Sequence, residues 1–130
     1  MTYELTLLAL SALLMLAQIV FQALNTIPAH GLKFLVGPRD GIEDKTVMAG
    51  RARRANANLL EGLAMFTPLV LIAHVTGENS TLTATGAALF FWGRVVFAIT
   101  YWLGTPWVRT IAWAASILGI LMFAWELFIG

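Results

Sequence analysis

The chain has 130 residues, 59% hydrophobic and only 12% charged, with a formal net charge of +1 and a mean hydropathy of +0.80. Soluble domains carry about a quarter charged residues, so this composition excludes an ordinary soluble fold and places the chain in a bilayer. The absence of cysteine excludes disulfides, thiolate metal sites and a protein-borne thiol nucleophile, so any thiol chemistry has to be brought by a ligand.

A spanning helix needs roughly 20 mostly apolar residues, and four such runs are present, at about 5–25, 55–76, 83–103 and 107–128. The first, in MTYELTLLALSALLMLAQIVFQAL, has no basic leader and is too long for a signal-peptide core, which predicts a retained span. A polar loop follows at about 26–53, centred on GPRDGIEDK, and is the only long break. TGENSTLT and LGTP are tight turns by their Gly, Pro, Asn and Ser content. With no internal repeat or soluble segment, residues 1–130 read as one all-α, four-helix membrane domain.

Lys33, Arg39, Lys45, Arg51, Arg53 and Arg54 are six of the eight basic residues, and Arg109 lies on the same side. The positive-inside rule makes that side, and the 26–53 loop, cytoplasmic, with both termini outside. The same residues attract anionic lipid head groups; no nucleic-acid partner is expected. Gly50 to Arg53 read chiefly as this surface signal.

Polar residues inside spans carry the functional information. In the second span Arg54, Asn58 and Glu61 are spaced i, i+4, i+7 and share a face. Glu61 lies two turns, about 10 Å, inside the membrane edge. In the third span Arg94 and Tyr101, also i, i+7, occupy the same slab. Glu or Arg at that depth is costly against lipid, so these side chains should face a bundle interior, a polar cavity or a subunit interface. Two readings stay open: an Arg94–Glu61 ion pair that only joins helices, or a cavity for a polar ligand, to which Asn56 and Arg109 would contribute. Gln18, Gln22 and Asn25 share a face of the first span and would either close that cavity or hydrogen-bond between helices. Glu4, Glu78 and Glu126 are expected to face water on the opposite side. His74 reads as interfacial, and His30 has no metal-ligand partner at a recognisable spacing. Most tryptophans fall near span ends, as in an aromatic belt.

Together, GPRDG…AGRARRANANLLE and GRVVFAITYWLGTPWVRT resemble the MAPEG family, the membrane-associated proteins of eicosanoid and glutathione metabolism, in its bacterial form. The family's second-helix Arg-Ala, Asn and Glu pattern falls on Arg54, Ala55, Asn58 and Glu61. Its third-helix Arg and Tyr fall on Arg94 and Tyr101, and Pro-x-x-Arg on Pro106 and Arg109. The resemblance implies a homotrimer in a bacterial inner membrane, binding glutathione between subunits near the cytoplasmic face. It makes Arg54, Asn58, Glu61, Arg94 and Tyr101 glutathione contacts and Arg109 the catalytic partner of the thiolate. The implied activity is a glutathione transferase or peroxidase acting on lipophilic electrophiles that arrive through the bilayer. Non-catalytic members imply an alternative, a trimer that binds glutathione or lipid without chemistry. Ala57, Met65, Phe97 and Trp113 depart from the pattern, Phe97 and Trp113 standing where some members place polar glutathione contacts. A small four-helix transporter is a third reading, which lacks the expected deep carboxylate in its first span.

Overall fold

The computed structural model describes residues 1–38 and 47–130. Arg39, Lys45 and most of the GPRDGIEDK stretch lie outside the described residues, as does the side chain of His30. Among the described residues the chain forms α1 (Tyr3–His30), α2 (Leu32–Val36), α3 (Val47–Thr76), α4 (Thr81–Leu103) and α5 (Pro106–Phe128). Four of these, α1, α3, α4 and α5, are long and apolar enough to cross a membrane, so the chain is an all-α integral membrane protein with the expected four spans.

Two helices run further than the hydropathy pattern predicts. α1 continues to His30 and α3 begins at Val47, so much of the 26–53 segment expected as loop is helical. In α3 hydropathy falls where side chains become polar, but Arg, Ala and Met are good helix formers; in α1 the helix runs on through Pro28 with that one ladder donor missing. α1 starts where the Thr2 side chain accepts from the Leu5 N–H and stops at Gly31, with φ of 86°. The Ser80 side chain caps α4 by accepting from the Leu82 and Thr83 N–H groups, and Thr83 returns a bond by accepting from the Ser80 N–H at 2.8 Å. Gly104, at φ 78°, ends α4 in the left-handed region, and Pro106 opens α5 two residues later.

The buried stripe of α3 includes Ala52, Leu59, Phe66, Val70 and Ala73, the helical periodicity of a face turned to a core. At its centre Phe66 stacks on Phe90 at 4.0 Å between ring centroids and meets Phe123 edge-on at 5.6 Å. α4 and α5 pack closest. A Cβ on Gly86 would stand 2.8 Å from the Gly119 carbonyl oxygen, and one on Gly93 would stand 2.9 Å from the Ala112 carbonyl oxygen. Backbones meet there because small residues leave no side chain between them. Gly93→Ala is expected to lower stability by about 1–3 kcal/mol through overpacking, read as a fall in the thermal midpoint of the detergent-solubilised protein.

Two polar groups differ from expectation. Glu4 is buried, 6% exposed, and its Oε1 accepts from the Thr83 hydroxyl at 3.2 Å rather than facing water. α1 and α4 pack at this end, so the first turn of α1 turns Glu4 inward; Glu78 is exposed and Glu126 half-buried. Asn56 is also buried, and it bridges α3 to α1: Gln18 Nε2 donates to its Oδ1 at 3.2 Å, while its own Nδ2 donates to Gln22 Oε1. Asn25 bonds its own helix, donating to the Phe21 carbonyl at 2.9 Å. Interhelical bonding, not a cavity wall, is therefore the outcome for Gln18, Gln22 and Asn56.

Candidate functional site

The candidate site lies where α3 and α5 begin and α4 ends, the end of the bundle that carries Arg51, Arg53, Arg54 and Arg109. Arg94 anchors its inner side. Only 2% exposed, it leaves α4 between the rings of Phe90 and Phe97, with its Cζ 5.6 and 5.3 Å from the two centroids. Its Nη1 donates to Asn58 Oδ1 at 2.5 Å, joining α4 to α3. The guanidinium passes over Gly62, where a Cβ would stand 2.7 Å from Nη2. The space of a missing side chain is the route by which Arg94 reaches Asn58. Its Nε is buried with no hydrogen-bond partner among the described residues. Two of the five guanidinium N–H donors sit on Nη2 and one on Nε, so a single neutral amide leaves the cation with capacity to spare.

Tyr101, seven residues on along α4, stands at the mouth. Arg54 Nε donates to its hydroxyl at 2.9 Å, and the Arg109 Cζ lies over its ring, 4.8 Å from the centroid. Phe97 packs beside it at 5.4 Å between centroids. Asn58, Phe97, Tyr101, Arg109, Thr110 and Trp113 line a cavity of about 330 Å³. The Arg109 side chain makes no hydrogen bond to another described residue; the Tyr101 ring is its contact. A half-buried guanidinium with free N–H groups at a cavity wall is suited to accept an anion.

The structure thus gathers Asn58, Tyr101 and Arg109 around one cavity, with Arg54 behind Tyr101 and Arg94 behind Asn58. Glu61 is not among the lining residues and is exposed in the single chain, with its charge acting on the Arg94 guanidinium from outside the cavity. Asn56 faces α1 instead of the site. Two residues apart, Asn56 and Asn58 are about 200° apart around the helix, a signal already present in their spacing.

Other residues enter that the polar pattern did not single out. Arg51, read as part of a surface signal, is half-buried and donates from Nη1 to the Trp102 carbonyl at 3.1 Å. A Cβ on Gly104 would stand 2.8 Å from its Nη2, so the Arg51 guanidinium lies across the turn that joins α4 to α5. It meets the last carbonyls of α4, where a helix dipole favours positive charge. Thr110 and Trp113 reach the cavity because α5 brings i, i+1 and i+4 from Arg109 towards one side. Trp102 leaves the aromatic-belt pattern and stacks on Phe21 of α1 at 4.3 Å.

Fold and site together define a class: a four-span integral membrane protein with a cation-rich, aromatic-walled cavity at one end of its bundle. The MAPEG family model matches residues 1–129, and the chain belongs to the MAPEG family. No curated protein and no solved structure gives a match.

Proposed function

We propose that this protein is a membrane-bound, glutathione-dependent transferase or peroxidase for lipophilic electrophiles. The observation that carries the reading is the Arg109 guanidinium, seated on Tyr101 with unused donors at a cavity that also presents Asn58. Family membership supports it.

The residues fit the tripeptide. Glutathione has two carboxylates and an ammonium, and supplies the thiol that the chain lacks. Arg54, and Asn58 held from behind by the buried Arg94, bind carboxylate and amide groups on the α3–α4 seam. Glu61 takes the ammonium. Arg109 presents N–H donors to negative charge on sulfur, a role in which one well-placed cation raises the thiolate fraction at neutral pH. Phe97 and Trp113 give the cavity an apolar wall for an electrophile arriving from lipid.

Glu61 also carries the assembly. It is exposed in the single chain about 10 Å inside the membrane edge, a place where a bare carboxylate costs at least ~2.5 kcal/mol. A homotrimer covers that face of α3 and completes the site from a neighbouring copy. The basic end faces the cytoplasm of a bacterial inner membrane, where lipid head groups also meet Lys33 and Arg53.

The test is calorimetric titration of the detergent-solubilised protein with glutathione, followed by turnover of a model electrophile. Saturable binding is expected, weakened about tenfold by Glu61→Gln, the loss of one ion-paired contact. Binding with no thiol-dependent turnover selects the non-catalytic trimer, and absence of binding removes the glutathione reading.

A further inference from the structure

Tyr101 is held from three directions, and the arrangement divides its two chemical parts. Its hydroxyl accepts from Arg54 Nε at 2.9 Å. One edge packs on Phe97 at 5.4 Å, and Phe97 in turn carries the buried Arg94 guanidinium at 5.3 Å. Its face carries the Arg109 guanidinium at 4.8 Å, closer than the other three cation–ring contacts described in the chain. Cation–ring and ring–ring contacts therefore run in one chain from Phe90 through Arg94, Phe97 and Tyr101 to Arg109, from the protein interior to the cavity wall.

Arg109 has no hydrogen bond to another described side chain or carbonyl to fix it. A long side chain with several rotatable bonds loses its orientation unless something restrains it. The Tyr101 ring is the restraint, because a flat guanidinium lies favourably over an aromatic face. Phe97, which departs from the polar residue found at this place in some family members, supplies the second ring that keeps Tyr101 from tilting away.

We infer that Tyr101 is a positioning residue for Arg109 that acts through its ring, and that its hydroxyl serves only to anchor that ring to Arg54. The inference uses the glutathione reading for its kinetic arm alone; the position of Arg109 is tested without ligand. Tyr101→Phe keeps the platform and loses the anchor, whereas Tyr101→Leu loses both. Tyr101→Met replaces the Leu variant if that chain does not accumulate.

In protein labelled at arginine, the Arg109 side-chain protons of the wild type and of Tyr101→Phe are expected at upfield, ring-shielded positions. In Tyr101→Leu they return to ordinary values. With glutathione added, Tyr101→Leu is expected to lower kcat and the bound-thiolate absorbance by more than about tenfold, the scale of a side chain displaced by an ångström. Tyr101→Phe, which keeps the ring, is expected to keep several-fold more of kcat than Tyr101→Leu. Unshifted Arg109 protons in the wild type overturn the inference, as does a Tyr101→Phe variant as slow as Tyr101→Leu, which would put the hydroxyl on the reacting atoms. A wild type that neither binds nor turns over glutathione overturns the proposed function instead, and the arginine resonances then decide the platform by themselves.

Discussion

Arg109→Ala is expected to reduce glutathione-dependent turnover by about 10²- to 10³-fold, the loss found when one preorganised donor to a developing anion is removed. Its effect on folding should be small. Arg109 is half-buried and contacts the Tyr101 ring, and an exposed cation–π contact stabilises by roughly 0.5–1 kcal/mol. Removing it strands no buried partner. Glutathione affinity should change by only a few-fold if, as proposed, the remaining cations and Asn58 carry recognition and Arg109 acts on sulfur. Arg109→Lys should fall between: it keeps the charge but not the planar group that lies on the ring. Steady-state kinetics beside a calorimetric Kd for each variant separates these effects, and equal losses in kcat and affinity would make Arg109 a binding residue only.

The second large effect belongs to Asn58 and Arg94. Asn58→Leu removes the acceptor facing a guanidinium that is 2% exposed, and its Nε already lacks a partner among the described residues. Hydrogen bonds to charged groups contribute about 1.5–3 kcal/mol, so a destabilisation of about 2–3 kcal/mol is expected, seen as a lower thermal midpoint. Adding Arg94→Met to the same chain should recover most of it, since an apolar group of similar length replaces a buried charge at little cost. Arg94→Met alone should cost less than Asn58→Leu, because the Asn58 amide lines the cavity and can meet water. Equal stability of Asn58→Leu and the double variant would mean that the Arg94 charge is solvated. Both variants are expected to lose glutathione binding, so their comparison divides the structural role of the pair from its ligand role.

The spans were legible because hydropathy averages over about 20 residues and tolerates local error; the helix ends were not, because a polar side chain leaves the backbone ladder intact. α3 shows this at Val47–Arg54, eight residues expected in or beside a loop. Helical spacing also placed Arg54, Asn58, Arg94, Tyr101 and Arg109 at one end. It could not fix the rotation of α3 against its neighbours, which turns Asn56 to the glutamines of α1, directs Asn58 to Arg94 and leaves Glu61 outside the cavity. Glu4 was misread because its burial depends on one partner, Thr83, 79 residues away. The contribution of Phe97 was hidden for a different reason: it shares an α4 stripe with Phe90, Arg94 and Tyr101, but the cation that ends the stack, Arg109, comes from α5.

The close approach of α4 and α5 at Gly86, Gly93 and Gly119 has a consequence for how the protein meets different bilayers. A helix that is too long or too short for the surrounding lipid adjusts by tilting or sliding, and backbones locked at van der Waals distance cannot slide past each other. The α4–α5 hairpin is thus a ruler, holding the spacing from Arg94 to Tyr101 to Arg109 constant while membrane thickness changes, and leaving α1, and α3 with its Arg54 and Asn58, to absorb the mismatch.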